Sequence, residues 1–311
     1  MEFPITDLLG DEQSERWLLE HFHPDGLKCP KCGAGVENSL KFRLARKSSL
    51  QVYRCRDCQA VYNFYTGTLF ERRRFRPQQA VLLIRGVLKG EPANVTAAEL
   101  ELDYISVLQL RRAIQEQAKT QQSEQPLPDS EAESDELFQN AGKKGVEHFD
   151  PLHPPRRRAN KRRGRGAYEN DRPPVMGVIG RGSGQVRLRV VKDTQAATLE
   201  EHVHRFTRPD CHVYTDEYDS YNGIERQRSK VAHGKKEWAR DDDGDGIREV
   251  HTNTAEGMWT GLRNFLRPFR GVSKCYLDGY IAVYECQVNL RRISPALISA
   301  LVKVHLTIVE P

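Results

Sequence analysis

The chain has 311 residues, 38% of them hydrophobic and 29% charged, with a formal net charge of +5. That length holds two or three domains with cores of their own. No run approaches 18 apolar residues, and the acidic opening, MEFPITDLLGDEQSE, lacks the order of a secretory signal, so a cytoplasmic protein with no membrane partner is expected.

Residues 1–74 carry two cysteine pairs. Cys29-Pro-Lys-Cys32-Gly and Cys55-Arg-Asp-Cys58 are separated by 22 residues. Each tight turn presents two thiolates to one ion, and two turns complete a tetrahedral four-sulfur site. The spacing predicts a zinc ribbon, with β-prone segments at Ser49–Tyr53 and Val61–Phe64. Four thiolates leave no open position for water, so the zinc is read as structural, in a part too small for a core of its own. Cys211, Cys275 and Cys286 are isolated and read as small buried residues. Basic residues surround the ribbon: Arg54, Arg56 and the run Arg72, Arg73, Arg74. Clustered positive charge of this kind displaces counterions from a nucleic-acid backbone, although a single run is also an ordinary solvated surface.

Residues 75–118 read as helical. Pro77 opens a helix whose apolar face is Ala80, Leu83, Ile84 and Leu88, and Gly90 and Pro92 stop it. Thr96-Ala-Ala-Glu99 has the spacing of a capping box for a short helix through Leu102. After a turn at Asp103, Ser106–Gln117 forms another helix, with Gln109, Arg111 and Arg112 expected on its exposed side. Two short helices and a tight turn suit a helix-turn-helix in which those three side chains contact DNA; a small helical connector is the alternative. Residues 119–130 are polar and read as a linker.

Residues 131–295 alternate strands and helices, and 296–311 read as a tail. Val175–Ile179 and Val186–Val191 flank the turn GRGSGQ and predict a hairpin. A helix over Thr198–Phe206, the strand His212–Thr215, a second strand near Lys230–Ala232 and helices over Thr254–Leu266 and Lys274–Leu290 follow. Asp216 closes a strand, and Glu256 lies near the start of a helix that also carries Arg263 and Arg267. Asp135 sits on a short first strand. Acids delivered from separate elements can hold two Mg²⁺ ions about 3.5–4 Å apart while leaving positions open for a phosphodiester. Arg156, Arg157, Arg158, Lys161, Arg162, Arg163 and Arg165 form a run expected to bind DNA or to remain a solvated loop. Asp241–Gly246 matches the first half of a calcium loop, but Thr252 stands where a glutamate is needed, so an acidic turn is expected. His233 and Trp238 suit either substrate approach or burial beside the sheet. Tyr276, Tyr280 and Tyr284 read as core or interface.

Residues 27–58 and 131–292 resemble the zinc-ribbon insertion-sequence transposases of the ISXO type. The likeness runs in order through CPKCG, YRCRDC, SDELFQNAGKKG, RRRANKRRGRG, PPVMGVIGRGSGQVRLRVV, VYTDEYDSY, HTNTAEGMWTGLRNFLRPFRGVS and KCYLDGYIAVYECQVNLRRIS. The resemblance implies an α/β, ribonuclease-H-like mixed sheet with flanking helices, behind the zinc ribbon and the helix-turn-helix-like domain. It implies a D-D-E triad of Asp135, Asp216 and Glu256, with 80 and 39 residues between successive members. Mg²⁺, or Mn²⁺ in its place, would be the catalytic ion and Zn²⁺ the structural one. The implied partner is double-stranded DNA, both element ends and target, bound by at least a homodimer in a bacterial cytoplasm and nucleoid. The segment ESDELF is more polar than the family's first-acid strand, which leaves Glu136 and Asp150 as alternatives. Arg263-Asn264 replaces a common lysine pair, and His251 and Asn253 match a polar stretch before the glutamate, where Asn253 or Thr254 reads as the helix cap. A second reading is a zinc-ribbon DNA-binding regulator or an inactive remnant. A third is a nuclease that cuts without joining.

Overall fold

The computed structural model describes residues 10–142, 165–290 and 294–303. In chain order the helices and strands are α1 (Asp11–Phe22), β1 (Ser39–Leu44), β2 (Gln51–Cys55), β3 (Val61–Tyr62), α2 (Pro77–Leu88), α3 (Ala93–Glu99), α4 (Tyr104–Thr120), β4 (Glu131–Phe138), β5 (Pro174–Gly180), β6 (Val186–Val190), α5 (Ala196–Phe206), β7 (His212–Asp216), β8 (Gln227–Val231), α6 (Asn253–Leu266), α7 (Leu277–Asn289) and α8 (Pro295–Val302). They fall into two compact units, residues 1–121 with 290–311, and residues 122–289. No helix among the described residues is long and apolar enough to cross a membrane.

The first unit joins the cysteine-rich and helical parts. Its three-stranded antiparallel sheet has the order β1-β2-β3. The ribbon is not left to the metal alone. Phe22 of α1 packs its ring on Tyr65 and Phe70, and Phe64 and Phe75 extend the same aromatic cluster. The expected tail is instead a helix: Ser294 caps α8 by accepting from the Leu297 N–H, Pro295 fills the first turn, and α8 packs on α1 and α4. The helix expected to open at Thr96 starts three residues earlier, after Pro92. Proline fixes the entry there, and the Thr96 hydroxyl turns back to donate to the Pro92 carbonyl at 3.3 Å. Asp103 does cap α4, accepting from the Ser106 N–H at 2.8 Å.

The second unit is built on a mixed sheet with strand order β6-β5-β4-β7-β8. β4–β5 and β5–β6 are antiparallel, whereas β4–β7 and β7–β8 are parallel, with α5 crossing from β6 to β7. Alternate residues of each strand face opposite sides. Ala132, Met176, Val178 and Val213 pack under Leu199, Val203 and Phe206 of α5. On the other side α6 packs on β4 and β5, and α7 on β6. β5 is therefore buried along its whole length, as its unbroken apolar sequence requires. The segment expected to be a free linker is partly enlisted: Leu127 joins the α5 core, and Asp129 accepts from the Ser183 N–H and hydroxyl at 2.7 and 2.6 Å, fastening the β5–β6 turn.

Candidate active site

β4 and β7 run side by side in parallel at a fixed offset of 81 residues, with Glu131 beside His212 and Glu133 beside Tyr214. The same offset matches Asp135 to Asp216, the last residue of β7. Paired positions on adjacent strands point to the same face of the sheet. For Asp135 that is the α6 face. The Trp259 indole N–H donates to Asp135 Oδ2 at 2.8 Å, and Glu256 lies one turn earlier on the same helix. Gly177, the β5 partner of Asp135, makes room for the indole: a Cβ there would lie 2.9 Å from Trp259 Cη2. Asp216 Oδ1 accepts the Tyr218 N–H at 3.0 Å, which orients its carboxylate in the turn after β7.

Asp216 and Glu256 both lie close enough to Asp135 to act on its charge. Burial pushes the Asp135 carboxyl up to about 6, and the negative charges of Asp216 and Glu256 push the same way, against the Trp259 hydrogen bond and a backbone N–H. A fourth acid stands nearby. Glu136, on the opposite face of β4, accepts from the buried Tyr221 hydroxyl at 2.7 Å. Burial raises it to about 7, with Asp135 and Asp216 adding to the effect and Arg165 opposing it. Arg165 also lies over the Tyr218 ring. It is the one member of the basic run within the described residues; Arg156, Arg157, Arg158, Lys161, Arg162 and Arg163 lie outside them, as does Asp150.

The second cluster is sulfur. The side-chain sulfurs of Cys29, Cys32, Cys55 and Cys58 all lie within 4.8 Å of one another. Cys29 and Cys58 are 3.4 Å apart and Cys32 and Cys55 3.5 Å, close to the roughly 3.8 Å edge of a tetrahedron with 2.3 Å zinc–sulfur bonds. The two turns are built alike. The Cys29 N–H bonds Ala34 O and the Gly33 N–H bonds Cys29 O, while the Cys55 N–H bonds Ala60 O and the Gln59 N–H bonds Cys55 O. Gly33 and Gln59, at equivalent places, both take left-handed backbone angles. Although burial opposes it, backbone N–H groups of Cys32 and Lys31 lower the Cys29 thiol to about 7. The donor set, its spacing and its amide dipoles fit one tetrahedral ion.

Other expected residues are distributed unevenly. Gln109 is exposed on α4, but Arg111 is buried, its guanidinium donating to the Glu91 carbonyl, so it does not belong to a DNA-reading surface; Arg112 is half-buried. Leu110 and Ile114 are the neighbouring core positions, and the face they define is wide enough to include residue 111. Arg73 is likewise half-buried and donates to the carbonyls of Leu69 and Ser106, leaving Arg72 and Arg74 as the exposed pair of that run. Arg263 and Arg267 are exposed along α6. Tyr284 is core, its hydroxyl donating to Met258 O, and Tyr280 packs edge-on to Phe269. His233 stacks loosely on the exposed Trp238. Asp241, Asp243 and Glu249 bring carboxylate oxygens within 4.8 Å, but Asp241 is engaged by the N–H groups of Gly244 and Gly246 as an acidic turn.

Sequence reasoning missed Glu133, Arg181 and Trp259 as parts of this site. The N-cap of α6 is Thr252, and neither Asn253 nor Thr254 serves as its cap; Thr254 instead donates its hydroxyl to Glu133. The signal available was the spacing Glu133-Ser-Asp135, which sets two acids on one face of a strand.

Residues 145–289 match the family model described as the ISXO2-like transposase domain. This stretch of the chain is similar to an ISXO2-like transposase domain. Over 294 residues, 93% of this chain and 94% of the relative, the chain is 27% identical to an "Uncharacterized protein in transposable element ISH50" from Halobacterium salinarum. Asp216 and Glu256 fall inside the transposase-domain match, whereas Asp135 and the cysteines precede it. Weaker structural likenesses include a chain of the simian T-cell lymphotropic virus intasome in complex with the PP2A regulatory subunit B56 gamma (TM-score 0.30, 12% identity, 65% of this chain and 66% of that one). A pre-cleavage Mos1 transpososome is another (TM-score 0.20, 10% identity, 72% and 77%).

Proposed function

We propose that this chain is a transposase that binds the terminal inverted repeats of an insertion sequence and carries out Mg²⁺-dependent strand cleavage and strand transfer, with Asp135, Asp216 and Glu256 as its catalytic acids. The observation that carries this reading is the parallel pairing of β4 with β7, whose offset, carried two residues beyond Glu133 and Tyr214, aligns Asp135 with Asp216 on the face covered by the helix that bears Glu256. A mixed sheet with acids on one face of its central parallel pair is the arrangement expected of a ribonuclease-H-like domain. Burial raises Asp135 first, and the repulsion from Asp216 and Glu256 that adds to it is the kind a divalent cation relieves. Bound there, Mg²⁺ would activate the attacking hydroxyl and stabilise the leaving oxygen at the scissile phosphate. The chain's own groups supply the geometry: Trp259 orients Asp135, the Tyr218 N–H orients Asp216, and α6 delivers Glu256. Arg263, Arg267 and Arg165 offer guanidinium groups to neighbouring phosphates.

The four cysteines would hold Zn²⁺ and so fix the ribbon. Its β1–β2 hairpin exposes Lys41, Arg43, Arg46, Lys47 and Arg56 beside Arg54, whose guanidinium lies over Phe42, a surface suited to the DNA backbone together with Arg72, Arg74 and Gln109. Joining two element ends in one complex calls for at least two copies of the chain.

The test uses a supercoiled plasmid carrying the DNA that flanks the coding region, incubated with zinc-loaded protein and Mg²⁺. Wild type is expected to nick at the element end and to give joined products, and Asp216→Asn neither. Equal activity of the two proteins would refute the catalytic site. Cleavage without joining favours a nuclease, and binding without cleavage a regulator.

A further inference from the structure

Glu133 lies two residues before Asp135 on β4, on the same face, and is wholly buried. Its partners converge from two directions. From the start of α6, the Thr254 hydroxyl donates to Oε1 at 2.9 Å and the Ala255 N–H to Oε2 at 2.8 Å. From the β5–β6 turn, Arg181 Nε–H donates to Oε1 at 2.9 Å. Arg181 then spends its other N–H groups on the approach to α6: Nη1 donates to Glu249 O and Nη2 to His251 O, both at 2.7 Å. Its guanidinium carbon sits 3.6 Å from the centre of the Tyr214 ring on β7.

α6 makes no side-chain cap of its own at Thr252. A carboxylate from another strand supplies what the cap would, accepting an otherwise orphaned N–H at the helix's positive end. Ala255, whose N–H it holds, is the residue immediately before Glu256. Each residue step around a helix is about 100°, so slippage by one position would turn Glu256 away from the sheet. The Trp259–Asp135 bond fixes the helix again one turn later. Burial alone would be met by an apolar side chain; a paired carboxylate with directional bonds sets rotation and register as well.

We propose that Glu133, oriented by Arg181, is a positioning residue that docks the start of α6 onto β4 and thereby fixes Glu256 opposite Asp135 and Asp216. It touches neither DNA nor metal and acts through the helix. This inference rests on the catalytic-site reading above, and the experiment separates the two.

Full-length zinc-loaded wild type, Glu133→Gln, Thr254→Val and Asp216→Asn are compared on the flanking-DNA plasmid with Mn²⁺ as the ion. Melting temperature, the half-saturating plasmid concentration, the rate at saturating plasmid and the half-saturating Mn²⁺ are read for each. Glu133→Gln keeps the shape and an acceptor but loses the charge that holds Arg181. It is expected to cut the saturated rate at least tenfold and to raise half-saturating Mn²⁺ several-fold, with half-saturating plasmid unchanged. Thr254→Val removes one bond from an exposed residue, so it reports even if Glu133→Gln fails to fold. Its expected effect is a rate loss of threefold or more in the same pattern. Asp216→Asn is expected to be inactive. Folded Glu133→Gln and Thr254→Val proteins within twofold of wild type in rate and Mn²⁺ requirement, beside an inactive Asp216→Asn, would overturn the positioning role alone. An active Asp216→Asn would overturn the catalytic-site reading and this proposal with it.

Discussion

Asp135 is the residue on which the proposed chemistry is most exposed to test. Its carboxyl is raised from 3.8 to about 6 by burial, then by Asp216 and Glu256. For an acid raised in the folded state, the stabilising contribution is complete below the unfolded value of 3.8 and is lost as pH rises through about 6. Above that pH the site is anionic and ready for a cation. Half-saturating Mg²⁺ for cleavage should therefore rise as pH falls, roughly tenfold per unit below about 6; a requirement that is flat from pH 5 to 7.5 would contradict this. Trp259→Phe keeps an aromatic ring but removes the hydrogen bond and part of the packing over Gly177, with an expected cost of at least about 1.5–3 kcal/mol because the acceptor is charged. Gly177→Ala should cost about 1–3 kcal/mol by driving a methyl into the indole, and should disturb Asp135 as a consequence. Chemical denaturation of both variants measures these costs. Arg111→Ala offers the contrast on α4: a stability loss of about 1–3 kcal/mol, with Gln109→Ala near neutral. Equal effects of the two would restore Arg111 to the surface.

At the scale of elements, what could be read depended on whether partners were local. The two CxxC turns carry their whole geometry within six residues, down to the shared left-handed position at Gly33 and Gln59, so the cysteine cluster was legible from spacing. The β5–β6 hairpin, α5 and β7 were legible for the same reason, their turns and periodicities being local. β4 was not, beyond its mere presence. EAESDELF has few apolar residues, and what makes it a central strand is pairing with β5 and β7 and an ion pair from Glu133 to Arg181, 48 residues away. The cap of α6 was misread because the acceptor comes from another strand. α8 was overlooked although Ser294-Pro295 followed by ALISALV is a capped, apolar helix signal. α1 hid behind its polar composition, since its burial comes from aromatic residues more than 40 positions later. Removing zinc should loosen the β1–β3 ribbon while sparing the aromatic cluster of Phe22, Tyr65 and Phe70. Limited proteolysis after chelation should cut first between residues 27 and 62, and cuts appearing first within α2 or α4 would oppose that order.

For the whole molecule, the two units hold different parts of the proposed machinery. The first gathers the cysteine site, five helices and an exposed basic hairpin. The second gathers the mixed sheet and every acid of the proposed catalytic site. The transposase-domain match lies entirely within the second. The central claim is that Asp135, Asp216 and Glu256 form one metal site on one face of that sheet. Anomalous scattering from Mn²⁺ in crystals of the protein bound to its flanking DNA tests it most directly. The account predicts manganese peaks ligated by Asp135 and Asp216, with Glu256 in the same shell. Manganese found only on Asp241, Asp243 and Glu249, or none near β4 and β7 with DNA in place, would contradict it.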